Sequence, residues 1–280
     1  MIMLDSYIEK YIDEDLPYGD LTTSLQENTD FNAKLEIFSR DEIVVSGSEI
    51  SAKIGEKLGC KAEIFLKSRK LAKKGDLILT LTGSYENIHK AWKLSQVFLE
   101  HASGISTYTY KMLQSVREVS QKCQILGTRK TFPFAKKLCL KALSDGGGFA
   151  HRLNLSDSVL FFDKHRIVYE NDAEFYREIS KFKTKLPEKK IAVEALSLED
   201  ALNLMKYGAD TIQLDKMSLE ETEKVVEFRD ENYKSVIVLS AGGINLNNAK
   251  EYAKLGIDGI VTSAMYSAKM ADVGARIFRV

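Results

Sequence analysis

"KIAVEALSLEDALNLMKYGADTIQLD", residues 190 to 215, contains one full turn of the architecture. Two short apolar runs, KIAVEAL and ADTIQLD, flank a segment, LEDALNLMKYG, whose apolar residues recur at helical spacing and end at a glycine. Strand, helix, strand in this order is a parallel βαβ unit. Working outward, the same texture continues. CQILGTR and SVLFFD lie upstream, SVIVLSAGG and IDGIVTSA downstream, with helical patterns such as SLEETEKVVEF and NLNNAKEYAKLG between. The polar residues closing the runs recur as well: Glu194 to Asp215 is 21 positions, Asp215 to Ser240 is 25, and Ser240 to Ser263 is 23. That interval suits one strand, one helix and two short loops, so a parallel α/β barrel is predicted from about residue 123 onward.

In such a barrel the C-terminal strand ends converge on one face. The groups predicted there are Arg129 and Lys130, Glu194, Asp215, Ser240 with Ala241, Gly242 and Gly243, and Thr262 with Ser263. DGGGFAHR (145 to 152) adds His151 and Arg152 after three glycines, a loop able to wrap an anion or a plain turn. Arg presents a planar fork matched to carboxylate or phosphate, and Lys a compact charge. A Gly-rich turn opening the helix of INLNNAKEYAKLG is predicted to aim N–H groups and a helix dipole at a phosphate. Two carboxylates opposite the cations suit sugar hydroxyls or an indirectly held Mg²⁺, which keeps waters and shares substrate phosphates. These residues point to a phosphorylated sugar plus a carboxylate-bearing partner. No nucleophile–histidine pair has readable spacing, and no GxGxxG follows a strand.

The first part of the chain reads as an α+β module. Residues 3 to 14 have helical spacing through Leu4, Ile8 and Tyr11 or Ile12. AKLEIFSRDEIVVSG reads as a strand pair, 48 to 58 as a helix, AEIFLKS and GDLILTLTG as strands, and roughly 84 to 118 as one long helix. Composition narrows the class. Lys plus Arg equals Asp plus Glu, 40 each, so no global field favours nucleic acid or a membrane surface. Cys60, Cys123 and Cys139 are too few and too scattered for a disulfide framework or a zinc site, and no stretch has membrane-spanning length; a cytoplasmic protein is expected.

TRKTFPFAKKLCLKALSDGGGFAHRLNLSDSVLFFDKH (128 to 165) resembles the signature of the quinolinate phosphoribosyltransferase (nicotinate-nucleotide diphosphorylase, carboxylating) family. DLPYGDLTT, ASGIST, VEAL, QLD and SAGGI follow in that family's order, so the resemblance spans nearly the whole chain. Within the family, AWK, LEHASGIST, RKTFP and FFDKHR are in the style of the ModD branch, pyrophosphorylases associated with molybdenum transport. The resemblance implies an N-terminal α/β sandwich domain (1 to 111, joined by the tail 269 to 280) and a C-terminal α/β-barrel domain (112 to 268). It implies a homodimer with a shared site, phosphoribosyl pyrophosphate and a pyridine-carboxylate-like acceptor as substrates, and Mg²⁺. By position, Arg129, His151 and Arg152 fall on acceptor-binding residues, and Lys130, Glu194 and Asp215 on the catalytic set around the sugar pyrophosphate. Residues 240 to 243 with Ser263 and Ala264 fall on the 5′-phosphate site.

Departures accompany the match. A family lysine falls on Phe162, which reads either as barrel core or as an altered acceptor wall. A family arginine on the long helix falls on Lys93, keeping charge but losing the bidentate fork. A family glycine falls on Ser263, and a histidine on Ser267. The leading expectation is a ModD-like phosphoribosyltransferase. Its alternatives are a true quinolinate phosphoribosyltransferase making nicotinate mononucleotide for NAD, and a non-catalytic binding protein linked to molybdenum transport.

Overall fold

A computed structural model describes residues 5–280. The chain divides into two compact units. One runs up to Tyr110 and takes in Thr131–Gly147 and Met265–Val280; the other is Lys111–Lys130 with Gly148–Ala264. The expected barrel domain included 131 to 147, whose contacts are instead with the first unit.

The first unit begins with the helix Asp5–Asp15, which buries Ile8; Leu4 lies outside the described residues. Its strands are β1 (Asn32–Ser39), β2 (Ile43–Val44), β3 (Lys61–Ile64), β4 (Leu71–Ala72) and β5 (Leu77–Ser84). Strict alternation in β1 buries Ala33, Leu35 and Ile37 on one face, where they meet Leu79, Leu81, Ile88 and Leu99. The expected pairing of AKLEIF with IVV does not form. β1 pairs with β5, and β2 pairs with β4. The connection between them is held elsewhere: Ser39 donates to the Asp76 carbonyl and Arg40 to that of Asp272. The long helix Tyr85–Arg117 follows β5.

The triple glycine has a packing explanation. A Cβ on Gly146 would lie 2.4 Å from the Ser106 carbonyl oxygen and 2.7 Å from Thr109 Cβ, so Gly146 lets the helix Lys136–Asp145 end against the long helix.

The second unit carries β6 (Gln124–Gly127), β7 (Phe149–Ala150), β8 (Val159–Phe161), β9 (Ile191–Ala195), β10 (Thr211–Asp215), β11 (Ile237–Ala241) and β12 (Gly259–Thr262). All pair in parallel, in the order β7-β6-β12-β11-β10-β9-β8, an α/β barrel sheet whose two ends are β7 and β8. A last strand, β13 (Val273–Arg279), returns to the first unit and pairs antiparallel with β1.

Register decides which side chains meet. Gln124, Gly259, Leu239, Gln213 and Glu194 form one row across the sheet, and Leu126, Val261, Ala241 and Asp215 form the next. Neighbours in a row share a face. Leu239, Ala241, Val261 and Leu126 accordingly pack as one cluster, and the polar members of both rows lie on the same side.

Candidate active site

At the C-terminal ends of these strands lies a cleft of about 560 Å³, lined wholly by the second unit. It collects Arg129 and Lys130 after β6, His151 and Arg152 after β7, Phe162 after β8, Glu194 from β9, Asp215 from β10, and Ala241, Gly242 and Gly243 at the end of β11. Ser263 and Ala264 complete it after β12. The ladder extends past its formal ends to place these groups: Thr128 donates its backbone N–H to the Thr262 carbonyl, and His151 donates to that of Gly127.

Four of the lining side chains are cations (Arg129, Lys130, Arg152 and Lys216) and two are carboxylates (Glu194 and Asp215). The side chains of Arg129, Lys130, Lys216 and Asp215 make no hydrogen bond or ion pair with another described residue, and Arg152 Nε is buried without a partner among them. Unneutralised cations grouped at a concave site favour an anionic ligand.

Glu194 is half-buried and accepts from Gln213 Nε2 at 2.7 Å. Burial raises its carboxyl above the ordinary carboxylate range; the Gln213 bond opposes this, while Asp215 and Asp163 add to it. Beneath it, Arg166 Nη2 donates to the Glu194 carbonyl at 2.7 Å and Nη1 pairs with Asp200. Burial, aided by Arg152, lowers the pKa of His151 and so favours its neutral imidazole.

The glycine turn is shaped for close approach. Gly242 and Gly243 have φ of +83° and +77°, and Lys216 donates its backbone N–H to the Ala241 carbonyl at 2.9 Å. Thr262 Oγ1 donates to the Ile244 carbonyl and accepts from the Ala264 N–H, tying the turn to β12. The expected helix dipole is not at this turn. Asn245 donates its N–H to Asn248 Oδ1, and the helix starts only at Ala249 and ends at Lys254.

Ser240 does not line the cleft. Strand alternation turns it to the face opposite Leu239 and Ala241, and its hydroxyl is buried without a partner among the described residues. Lys93 belongs to the first unit, where Nζ sits 4.6 Å from the centre of the Trp92 ring and donates to Gln96 Oε1 at 3.5 Å. Phe162, weighed as core, is instead half-buried on the cleft wall; its ring stacks on His165, centroids 5.7 Å apart. Thr262 lines the cleft as expected from its strand end, and Gln213 and Lys216 also line it without having been assigned a role. For Gln213 the signal was available, because it lies two residues before Asp215 on the same face.

The three cysteines are buried and unpaired, and burial pushes the Cys60 thiol up to about 11 and Cys123 to about 12, which leaves both unreactive as nucleophiles near pH 7. No described helix is long and apolar enough to cross a membrane.

The quinolinate phosphoribosyl transferase C-terminal domain matches residues 105–275, and the N-terminal domain of the same family matches 20–103. A pyrophosphorylase designated ModD from Pasteurella multocida is 31% identical over 96% of this chain and 95% of its own. A nicotinate-nucleotide pyrophosphorylase (carboxylating) of Methanocaldococcus jannaschii is 31% identical over 97% and 96%. The crystal structure of nicotinate-nucleotide pyrophosphorylase from Ehrlichia chaffeensis superposes with a TM-score of 0.89 at 26% identity, covering 99% of both chains. Sequence, sheet order and cleft agree: the chain belongs to the quinolinate phosphoribosyltransferase family of pentosyltransferases.

Proposed function

We propose that the protein is a ModD-like phosphoribosyltransferase, moving phosphoribosyl from phosphoribosyl pyrophosphate to a ring nitrogen of a carboxylated heterocycle. The observation that carries this is one cleft with unpaired cations at its exposed strand ends, two carboxylates on adjacent strands and a glycine turn beside them. The new C1–N bond forms as the C1–O bond to pyrophosphate breaks, and positive charge gathers on the ribose. Glu194 and Asp215 would stabilise that charge and receive sugar hydroxyls; Lys130 would neutralise the leaving pyrophosphate. Gly242, Gly243, Ser263 and Ala264 would receive the 5′-phosphate, and Arg129, His151 and Arg152 the acceptor's acid group.

The donor set fits Mg²⁺ only as a companion of the pyrophosphate. Among the described residues no three His, Cys, Asp or Glu side chains group to hold a metal, and Mg²⁺ commonly rests on substrate phosphates with one or two carboxylates nearby. Glu194 and Asp215 would stand closest to it, and when bound it would supply charge neutralisation at the leaving group. The reading includes a homodimer in a reducing, cytoplasmic setting, with Lys93 reaching the partner's cleft; a solution mass of two chains tests the first part.

Phe162 separates two acceptor classes. An aromatic ring gives a carboxylate no partner, and charge-assisted hydrogen bonds contribute about 1.5–3 kcal/mol. Pyrophosphate release with phosphoribosyl pyrophosphate, Mg²⁺ and either nicotinate or quinolinate is the decisive assay. Turnover of a monoacid in preference to quinolinate is expected, and Phe162→Lys should raise quinolinate kcat/KM about 10- to 100-fold. Efficient formation of nicotinate mononucleotide from quinolinate by the wild type would favour the carboxylating reaction instead, the activity named for the Methanocaldococcus relative. Ligand-induced stabilisation without turnover of any acceptor would leave only a binding protein.

His151 adds a pH signature. An anion beside it favours the imidazolium, so acceptor binding raises a pKa that burial had lowered. Affinity should strengthen as pH falls from 8 to 6 with uptake of a proton, read by calorimetry in buffers of different ionisation enthalpy; His151→Asn should flatten the dependence. In the unliganded protein the sign is opposite for stability. The contribution of the neutral imidazole is complete above about pH 6.5 and is lost as pH falls toward the depressed folded-state value.

A further inference from the structure

Gln213 is 4% exposed, in the middle of the parallel sheet, with Glu194 and Leu239 as its neighbours in register. Its side chain reaches the floor of the cleft, below the exposed Asp215. Nε2 donates to Glu194 Oε2 at 2.7 Å. An ionised carboxylate only accepts, so this bond dictates the amide's orientation and leaves Oε1 to be satisfied from elsewhere. No donor among the described residues reaches Oε1, although it is buried. A buried acceptor without a donor is destabilising, and Met or Leu would fill the same volume without that defect. A polar group kept in such a position points to a ligand.

The chemistry of the floor selects which ligand. Gln213 Oε1 and the Glu194 carboxylate are both acceptors, while Arg129 and Lys130 are exposed at the strand ends. An acid group pushed to the floor would face two oxygen acceptors. A neutral diol would donate one hydroxyl to each. We propose that Gln213 is a sugar-binding and positioning residue: Nε2 holds the Glu194 carboxylate in place, and Oε1 accepts a hydrogen bond from a ribose hydroxyl. This rests on the phosphoribosyl-transfer reading and extends it, assigning the pentose to the floor and the acceptor's acid group to the exposed cations.

The test is calorimetric titration of the full-length protein with phosphoribosyl pyrophosphate and Mg²⁺, without acceptor, alongside a thermal melt. Gln213→Met should bind at least tenfold more weakly while its Tm changes little, because the buried unpaired oxygen and the bond to the half-buried Glu194 are lost together. Gln213→Asn, an amide one methylene short, should weaken binding similarly. A purely structural glutamine predicts the reverse, a lower Tm with unchanged affinity, and that result overturns the proposal. So does a Met variant that fails to fold, or weakened binding of nicotinate with phosphoribosyl pyrophosphate unaffected. If the wild type itself binds no phosphoribosyl pyrophosphate, the transferase reading fails first; binding that is equal in wild type and variants sinks only the role given to Gln213.

Discussion

Gly242→Ala is expected to lower turnover by about 100-fold or more, since displacement of a reacting group by 1 Å can cost that much. The added Cβ would lie 2.4 Å from Lys216 Cγ, 2.7 Å from Asp215 Oδ1 and 2.7 Å from the Lys216 nitrogen. Lys216 Cγ can swing away. Its backbone nitrogen cannot, because it is bonded to the Ala241 carbonyl and Lys216 already has φ of +57°. The strain therefore falls on Asp215, the carboxylate assigned to the sugar. The left-handed φ of +83° adds its own penalty, and together the two effects should lower stability by about 2–4 kcal/mol.

Gly243→Ala supplies the internal comparison. It shares the positive φ, but nothing lies within 4 Å of its Cβ. It should show only the backbone penalty, about 1–2 kcal/mol. Thermal melts of both variants, with pyrophosphate release measured below their transitions, separate the collision from the strain. Equal losses at the two positions would mean that the Asp215 contact is irrelevant.

The repeat of strand and helix was readable because its signals are local. All six predicted barrel strands form, and the polar residues at their ends reach one cleft, apart from Ser240. The misses have physical reasons. β7 is two residues long, too short for alternation to register, and Gly146 packs against Ser106 and Thr109, distant in sequence, while the loop that follows it brings His151 and Arg152 to the cleft. Ser240 closes a run in sequence yet faces away, because only every second strand residue points inward. Gln213 lies inside its run, not at its end, and its place beside Glu194 follows only from the register of β9 and β10. The lowered pKa of His151 comes from burial, which no spacing encodes. Arg166, in the exposed-looking segment FFDKHR, is buried against a partner 34 positions away. Charge in a short helix ordinarily reads as surface.

That arginine governs the second large effect. Asp200→Ala should lower stability by about 3–5 kcal/mol, because the buried Arg166 then keeps only the exposed Asp172, at 3.5 Å, as an ionic partner. Asp200 accepts two bonds from Arg166 Nη1, at 3.1 and 3.0 Å, one from the Tyr176 hydroxyl at 2.6 Å and one from the Leu196 N–H at 2.7 Å. Arg166 also lies 4.8 Å from the Phe175 ring centre. Burial raises the Tyr176 phenol well above its ordinary range, and Asp200 adds to this, so Tyr176 stays a donor across any working pH. What ties this network to the chemistry is Arg166 Nη2, which holds the carbonyl of Glu194 itself. The paired replacement Arg166→Met with Asp200→Leu removes both charges and should recover most of the lost stability, as apolar substitutes for buried ion pairs often do. It should not recover turnover, because the Glu194 carbonyl has lost its anchor. Melting curves and kcat for the two singles and the double form the cycle. If activity returns together with stability, the network is a core device only, and Glu194 is placed by its strand and Gln213 without help from below.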